Sequence, residues 1–123
     1  MRIWWRSVRF ALQGLAFAYR HERNMRIHAW LALLAVVLVA ALDVPLVQAL
    51  FVLLAILLVV AAELFNTALE KTIDATAVKP HPLAKAAKDC AAAAVLLCAL
   101  FAVVVGIAVF GPLIVEGPAW RWK

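Results

Sequence analysis

A predominantly apolar stretch from Val44 to Ala62 that runs straight into a polar segment limits most strongly what this chain can fold into. A helix of about 20 apolar residues crosses the ~30 Å hydrocarbon core of a bilayer, and this stretch has nearly that length. No Gly or Pro separates it from the sequence ELFNTALEKTID at positions 63–74. We therefore predict one helix over 44–74, with a membrane-spanning part and a polar extension.

The polar side chains of this extension recur at helical spacing. At about 100° per residue, Glu63, Asn66, Glu70 and Asp74 fall within an arc of about 80° on the helix surface. An ionised carboxylate at a membrane boundary is costly unless a metal, a cation or a substrate proton compensates it. The pattern indicates a cation site, although a proton or cation pathway lined by acids has the same signature.

Composition supports a membrane protein. The chain is 68% hydrophobic and 15% charged, which leaves too little polar surface for a water-soluble domain of 123 residues. Two further apolar blocks predict spans over 27–42 and 83–115. The first block is short and is alternatively a buried or re-entrant segment, but the sequence offers no soluble part that would bury it. We expect an all-α membrane protein with a single domain over 1–123.

The first 26 residues are predicted to form an amphipathic helix at the membrane interface, because apolar and basic residues alternate at helical spacing. The apolar members are Trp4, Trp5, Val8, Leu12, Leu15 and Tyr19, and the basic ones are Arg2, Arg6, Arg9 and Arg20. Trp30, Trp120 and Trp122 are interpreted as aromatic anchors at the two membrane surfaces.

The distribution of basic residues predicts the orientation. All but one of the arginines lie in residues 1–28, four lysines lie between Glu70 and Asp89, and the turn near Asp43 has none. By the positive-inside rule the amino terminus is cytoplasmic and the carboxyl terminus lies outside, although Arg121 and Lys123 argue weakly against this. The net charge of +5 arises mainly from residues 1–28, so it indicates contact with anionic lipid rather than nucleic acid.

Two smaller polar clusters lie at the same predicted membrane depth. Lys85, Lys88 and Asp89 follow the sequence Pro80-His81-Pro82, and they are either lysines extended toward water with a partner carboxylate or a phosphate-binding group. Glu22 lies just before the first span and is either an ion-pair partner of Arg26 or a further metal ligand. The three clusters are expected to converge at the cytoplasmic boundary.

Phosphoryl transfer from a nucleotide uses such groups, because Mg²⁺ takes oxygen ligands and phosphates, and the attacking hydroxyl needs a base. The sequence has no Walker loop and no Gly-rich kinase loop. Three segments resemble the small prokaryotic diacylglycerol kinase family, which includes an undecaprenol kinase branch. They are ELFNTALEKTID at 63–74, HPLAKAAKD at 81–89 and ERNMRIH at 22–28.

The resemblance implies a homotrimer of three-span protomers in the bacterial cytoplasmic membrane. It implies transfer of the γ-phosphate of MgATP to the primary hydroxyl of a membrane lipid, diacylglycerol or undecaprenol, at sites shared between protomers. The implied roles are a general base for Glu63, Mg²⁺ ligands for Glu22 and Glu70, and nucleotide contacts for Asn66, Asp74, Lys88 and Asp89.

Some positions depart from the enterobacterial pattern of this family. Phe10 stands where that branch has a nucleotide-contacting Tyr, and His28 stands where it has an acid. Together with the sequences RIH at 26–28 and HPLAK at 81–85, these changes favour undecaprenol as the acceptor. The preference is modest, because both lipids present a primary hydroxyl on an apolar tail. A different class of function remains as the alternative: a non-enzymatic membrane protein or an ion-pathway subunit that uses the acidic stripe.

Overall fold

The computed structural model describes residues 2–76 and 79–116, which form four α-helices and the turns that join them. The helices are α1 (Arg2–His21), α2 (Arg23–Ala41), α3 (Leu46–Thr76) and α4 (Pro82–Glu116). The described part of the chain contains no β-strand, so the prediction of an all-α protein is confirmed. Trp120, Trp122, Arg121 and Lys123, on which the anchor and orientation predictions partly rest, lie outside the described residues.

Helices α2, α3 and α4 are each long and apolar enough to cross a membrane, as predicted. Large apolar side chains cover their outer surfaces; Leu46, Leu97 and Ile107 are each more than two-thirds exposed in the single chain. Such a surface is stable against hydrocarbon or against other apolar helices, and in water it would drive association.

Helix α3 is continuous from its apolar part into its polar part. It has 31 residues, which corresponds to about 46 Å at about 1.5 Å per residue. It begins directly after Pro45, whose carbonyl accepts a hydrogen bond from the Ala49 N–H at 2.9 Å. The turn before it contains Asp43 at φ 47°, a left-handed conformation that Asp tolerates better than most residues. One helix thus carries both parts, over Leu46–Thr76 where the prediction gave 44–74.

The break between α1 and α2 lies at Glu22, whereas the sequence analysis placed it after residue 26. Glu22 is extended (φ −106°, ψ 122°) and is the N-cap of α2. The Arg26 guanidinium donates hydrogen bonds to the carbonyls of Arg20 at 3.0 Å and Tyr19 at 3.4 Å. These bonds satisfy carbonyls at the end of α1 that the helix itself leaves without a donor. The sequence has no Gly or Pro at this break. The break is stabilised instead by Arg26, a residue on the following helix.

The apolar core of the bundle lies toward the turn at residues 42–45. Its buried residues are Val44, Val52, Ala55, Val105 and Val109. Small and β-branched side chains of this kind allow membrane helices to approach closely. Since α3 contacts α1, α2 and α4, it is the central element of the protomer, and its carboxyl-terminal half carries the polar stripe.

Candidate functional site

The polar residues meet at one end of the bundle, here called the polar end: the last four turns of α3 with the first turns of α2 and α4. Among the residues that the structure describes, three contacts between oppositely charged or ionisable side chains join α3 to the rest of the chain there. They pair Glu63 with His28, Lys71 with Glu22, and Asp74 with Lys88. The structure thus brings together the three clusters that the sequence analysis expected to converge.

Glu63 is the most deeply buried polar residue described, with 2% of its surface exposed. It lies where the apolar part of α3 ends. The His28 Nε2 atom of α2 lies 3.3 Å from Glu63 Oε1. The two atoms are close but not aligned as a hydrogen bond, and Glu63 Oε1 has no hydrogen-bond partner within residues 2–76 and 79–116. A buried carboxylate oxygen of this kind is an available proton acceptor for a hydroxyl that reaches it.

Asn66, Thr67 and Glu70 continue the stripe by one to two turns. The Asn66 Nδ2 atom donates a hydrogen bond to Glu70 Oε1 at 3.2 Å, which fixes the amide and the carboxylate relative to each other. Asn66 Oδ1 and Thr67 Oγ1 are buried and have no partner in the part of the chain that the structure describes. The sequence analysis did not name Thr67, although its spacing of four residues from Glu63 places it on the same face.

Oxygen donors of this type suit a magnesium ion. Mg²⁺ usually takes one or two carboxylates together with phosphates and water, and Glu70 with the open Asn66 Oδ1 offers such a donor set. Among the residues described, no group of three His, Cys, Asp or Glu side chains lies close enough to hold a metal ion. A carboxylate and an amide oxygen are a donor set that fits a metal also bound by the phosphates of a nucleotide.

Glu22, predicted as a metal ligand, has a cation beside it. Lys71 Nζ lies 2.9 Å from Glu22 Oε1. The alternative prediction of an ion pair with Arg26 is wrong, because the Arg26 guanidinium instead bonds to the carbonyls at the end of α1. The Lys71 contact was not predicted, since it depends on how closely the start of α2 approaches α3.

Lys88 and Asp89, predicted as nucleotide contacts, point to different partners. Lys88 Nζ pairs with Asp74 on α3, whereas Asp89 pairs with Lys85 one turn earlier on α4, at 2.5 Å. The Lys85–Asp89 pair is largely exposed, so it contributes little to stability. Lys88 therefore joins the polar stripe, and Asp89 lies at its margin.

A cationic cavity of about 390 Å³ lies between the end of α3 and the start of α4. Three lysines, one histidine and one aspartate line it; these residues are Lys79, Lys85, Lys88, His81 and Asp74. Cations at this density suit phosphate oxygens, which carry several negative charges within a few ångströms.

An apolar cavity of about 340 Å³ runs between α2, α3 and α4. Its lining is aliphatic and aromatic except for His28, and it includes Leu31, Val59 and Phe110. Because His28 also contacts Glu63, the buried carboxylate lies at the boundary between the apolar cavity and the polar stripe.

Comparison with known proteins identifies the family. Residues 9–110 match the family model described as prokaryotic diacylglycerol kinase. The chain belongs to this family. The chain is similar to the diacylglycerol kinase of Synechocystis sp., with 42% identity over 101 residues, which cover 81% of this chain and 58% of the relative. The undecaprenol kinase of Bacillus subtilis is 36% identical over 107 residues, covering 87% of each chain.

The diacylglycerol kinase of Escherichia coli K12 is 31% identical over 99 residues, covering 80% of this chain and 81% of the relative. The predicted membership of the prokaryotic diacylglycerol kinase family is thereby confirmed, and the names of these relatives support the prediction of a lipid kinase. This chain spans under two-thirds of the Synechocystis protein's length and most of the other two.

Proposed function

We propose that this chain transfers the γ-phosphate of MgATP to the primary hydroxyl of a membrane lipid at the cytoplasmic face of a bacterial membrane. The acceptor is diacylglycerol or undecaprenol, the two lipids that name its relatives. The observation that carries the proposal is Glu63, a carboxylate that is 2% exposed, has an open oxygen and lies between an apolar cavity and a polar stripe.

Glu63 is the proposed general base. A lipid whose tail stays among the spans presents its hydroxyl at the depth where the apolar part of α3 ends, which is where Glu63 lies. Removal of the hydroxyl proton by Glu63 makes the oxygen a better nucleophile toward the γ-phosphorus. As the new P–O bond forms, the bond between the γ-phosphorus and the β,γ-bridging oxygen breaks and ADP leaves. The apolar surroundings also exclude water, which would otherwise compete as the phosphate acceptor.

The remaining polar residues are proposed to bind and orient MgATP. Glu70 and Glu22 hold the magnesium ion, and Asn66 orients the phosphates from beside Glu70. Lys88 stabilises phosphate charge at the cationic cavity, with Asp74 and Asp89 orienting the nucleotide and the lysines. When bound, Mg²⁺ neutralises charge on the triphosphate and so favours the approach of the lipid oxygen.

The assembly proposed is a homotrimer with shared sites. The amino terminus is cytoplasmic, and α1 lies on the membrane surface with its arginines toward anionic headgroups. Two observations support shared sites: the extensive apolar surface of the single chain, and the absence of a three-ligand metal group from its described residues.

Transfer of radiolabelled γ-phosphate from MgATP to diacylglycerol and to undecaprenol, in parallel mixed micelles, tests the proposal. We expect label in at least one lipid, and the preferred acceptor identifies the physiological class. Label in neither lipid, from protein shown to be assembled, would contradict the kinase and favour the non-enzymatic or ion-pathway alternative.

A further inference from the structure

His28 places a polar atom against the Glu63 carboxylate and also lines the apolar cavity. It lies on α2, its side chain is 21% exposed, and its Nε2 atom is 3.3 Å from Glu63 Oε1. The sequence analysis noted only that it stands where the enterobacterial branch has an acid. Its position against the proposed base assigns it another role.

We infer that His28 is a positioning residue: it holds the Glu63 carboxylate at the end of the apolar cavity, in the orientation that accepts the proton of the lipid hydroxyl. The inference rests on the proposed function of Glu63 as base. Glu63 has three side-chain torsions, and α3 alone still leaves several orientations open to its carboxylate. The imidazole of α2 supplies the missing restraint from across the helix interface.

The chemistry of imidazole suits this task. An Nε2–H group offers a polar contact to Glu63 Oε1 at 3.3 Å without the alignment of a hydrogen bond, so that oxygen can still accept the substrate proton. The apolar lining around His28 makes a polar contact there stronger than it would be in water. An aliphatic residue in its place would leave the buried carboxylate without any restraint from α2.

The kinetic test compares His28→Ala, His28→Gln and the control Leu34→Ala. Leu34 is on the same helix, is 54% exposed, and lies outside both cavities. We expect His28→Ala to lower kcat by about 100-fold with an unchanged KM for MgATP, because a misplaced base affects the chemical step. Gln carries an N–H donor at nearly the same reach, so His28→Gln should recover at least a tenth of the parent kcat, and Leu34→Ala should match the parent.

A second measurement detects the contact without any turnover. The chain has three histidines, so the imidazole ¹⁵N resonances of selectively labelled protein can be assigned by loss of one signal in His28→Gln. Glu63→Gln should shift the His28 signals and leave those of His21 and His81 in place. Asp43→Asn, which neutralises a carboxylate in the turn at the opposite end, should shift none of them.

The outcomes separate the two hypotheses. If the parent protein is active but the His28 resonances do not shift in Glu63→Gln, the role of His28 is overturned and the kinase proposal stands. The same holds if kcat is unchanged in His28→Ala. Equal losses in His28→Ala and His28→Gln also overturn it, because the donor would then not be what matters. A parent that labels no lipid overturns the proposed function and, with it, the positioning role.

Discussion

At the residue scale, the deep burial of Glu63 favours a catalytic role for this residue over a structural one. A buried carboxylate oxygen without a partner costs free energy, and costs of this kind cluster at functional sites. Glu63→Gln retains size and polarity but cannot accept a proton. We expect kcat to fall by about 10²- to 10⁴-fold, while binding of MgATP is retained. Single-turnover phosphate transfer and nucleotide titration on the same preparation measure both quantities, and loss of nucleotide binding would contradict the role of base.

Glu70→Gln should show the opposite pattern. Asn66 would still find an amide oxygen at position 70, so the local hydrogen bond survives, but the negative charge that favours a metal is lost. We expect Mg²⁺-dependent nucleotide binding to weaken, whereas binding measured without Mg²⁺ changes little. Titrating nucleotide at several Mg²⁺ concentrations tests this, and a Mg²⁺ dependence equal to that of the parent would remove Glu70 from the metal site.

The residues on α3 could be predicted from the sequence because a single helix fixes their spacing. Glu63, Asn66 and Glu70 share a face whatever the rest of the chain does. The contacts of His28 and Lys71 could not be predicted in the same way. They join different helices, and their formation depends on the height at which α2 packs against α3.

At the element scale, the continuity of α3 makes the polar stripe a rigid extension of the span. Inserting one alanine between Ala62 and Glu63 would rotate the stripe by about 100° and move it by about 1.5 Å relative to the packed apolar part. We expect this insertion to abolish phosphate transfer, because Glu63 would lose its contact with His28 and Asp74 would lose its contact with Lys88.

The matched control is one alanine inserted after Leu42, in the turn between α2 and α3. That turn carries none of the proposed site residues, so the polar stripe should keep its register and transfer should continue. Both proteins must first insert and assemble, as judged by size-exclusion chromatography in detergent. Full activity in the protein with an alanine inserted between Ala62 and Glu63 would show that phosphate transfer does not require the register of the stripe.

The elements themselves were largely predictable, and the exception is informative. Apolar length indicated three spans, and the absence of Gly and Pro indicated that α3 continues through Glu63. The break at Glu22 had no such local marker. It depends on Arg26 bonding back to the end of α1, a contact that forms only once the two helices meet at an angle.

At the scale of the whole molecule, the distance between Glu63 and Lys88 bears on how sites are shared. Lys88 pairs with Asp74, which is eleven residues beyond Glu63 and thus about 16 Å along α3. A single phosphoryl group cannot contact both residues of one protomer at that separation. A site that uses both residues either extends over that distance within one chain or draws Lys88 and Glu63 from different protomers of the proposed trimer.

Mixing two inactive variants tests this arrangement. Glu63→Gln and Lys88→Met protomers, unfolded and reconstituted together, should recover about a quarter of the parent activity if each site draws the two residues from different protomers at random. Each variant reconstituted alone is the control and should stay inactive. No recovery in mixed assemblies, shown to contain both variants, would place both residues of a site in one chain.

The unbroken α3 also ties the reaction to the membrane itself. The carboxylate that we assign as base stands at a fixed height above the packed segment of the same helix, so it has no hinge with which to follow the surface of the bilayer. Lipids with shorter or longer acyl chains move that surface, and a helix responds by tilting or by deforming the bilayer around it. Acyl chain length is therefore a physical variable of catalysis, able to raise or lower the acceptor hydroxyl relative to Glu63 without changing any residue.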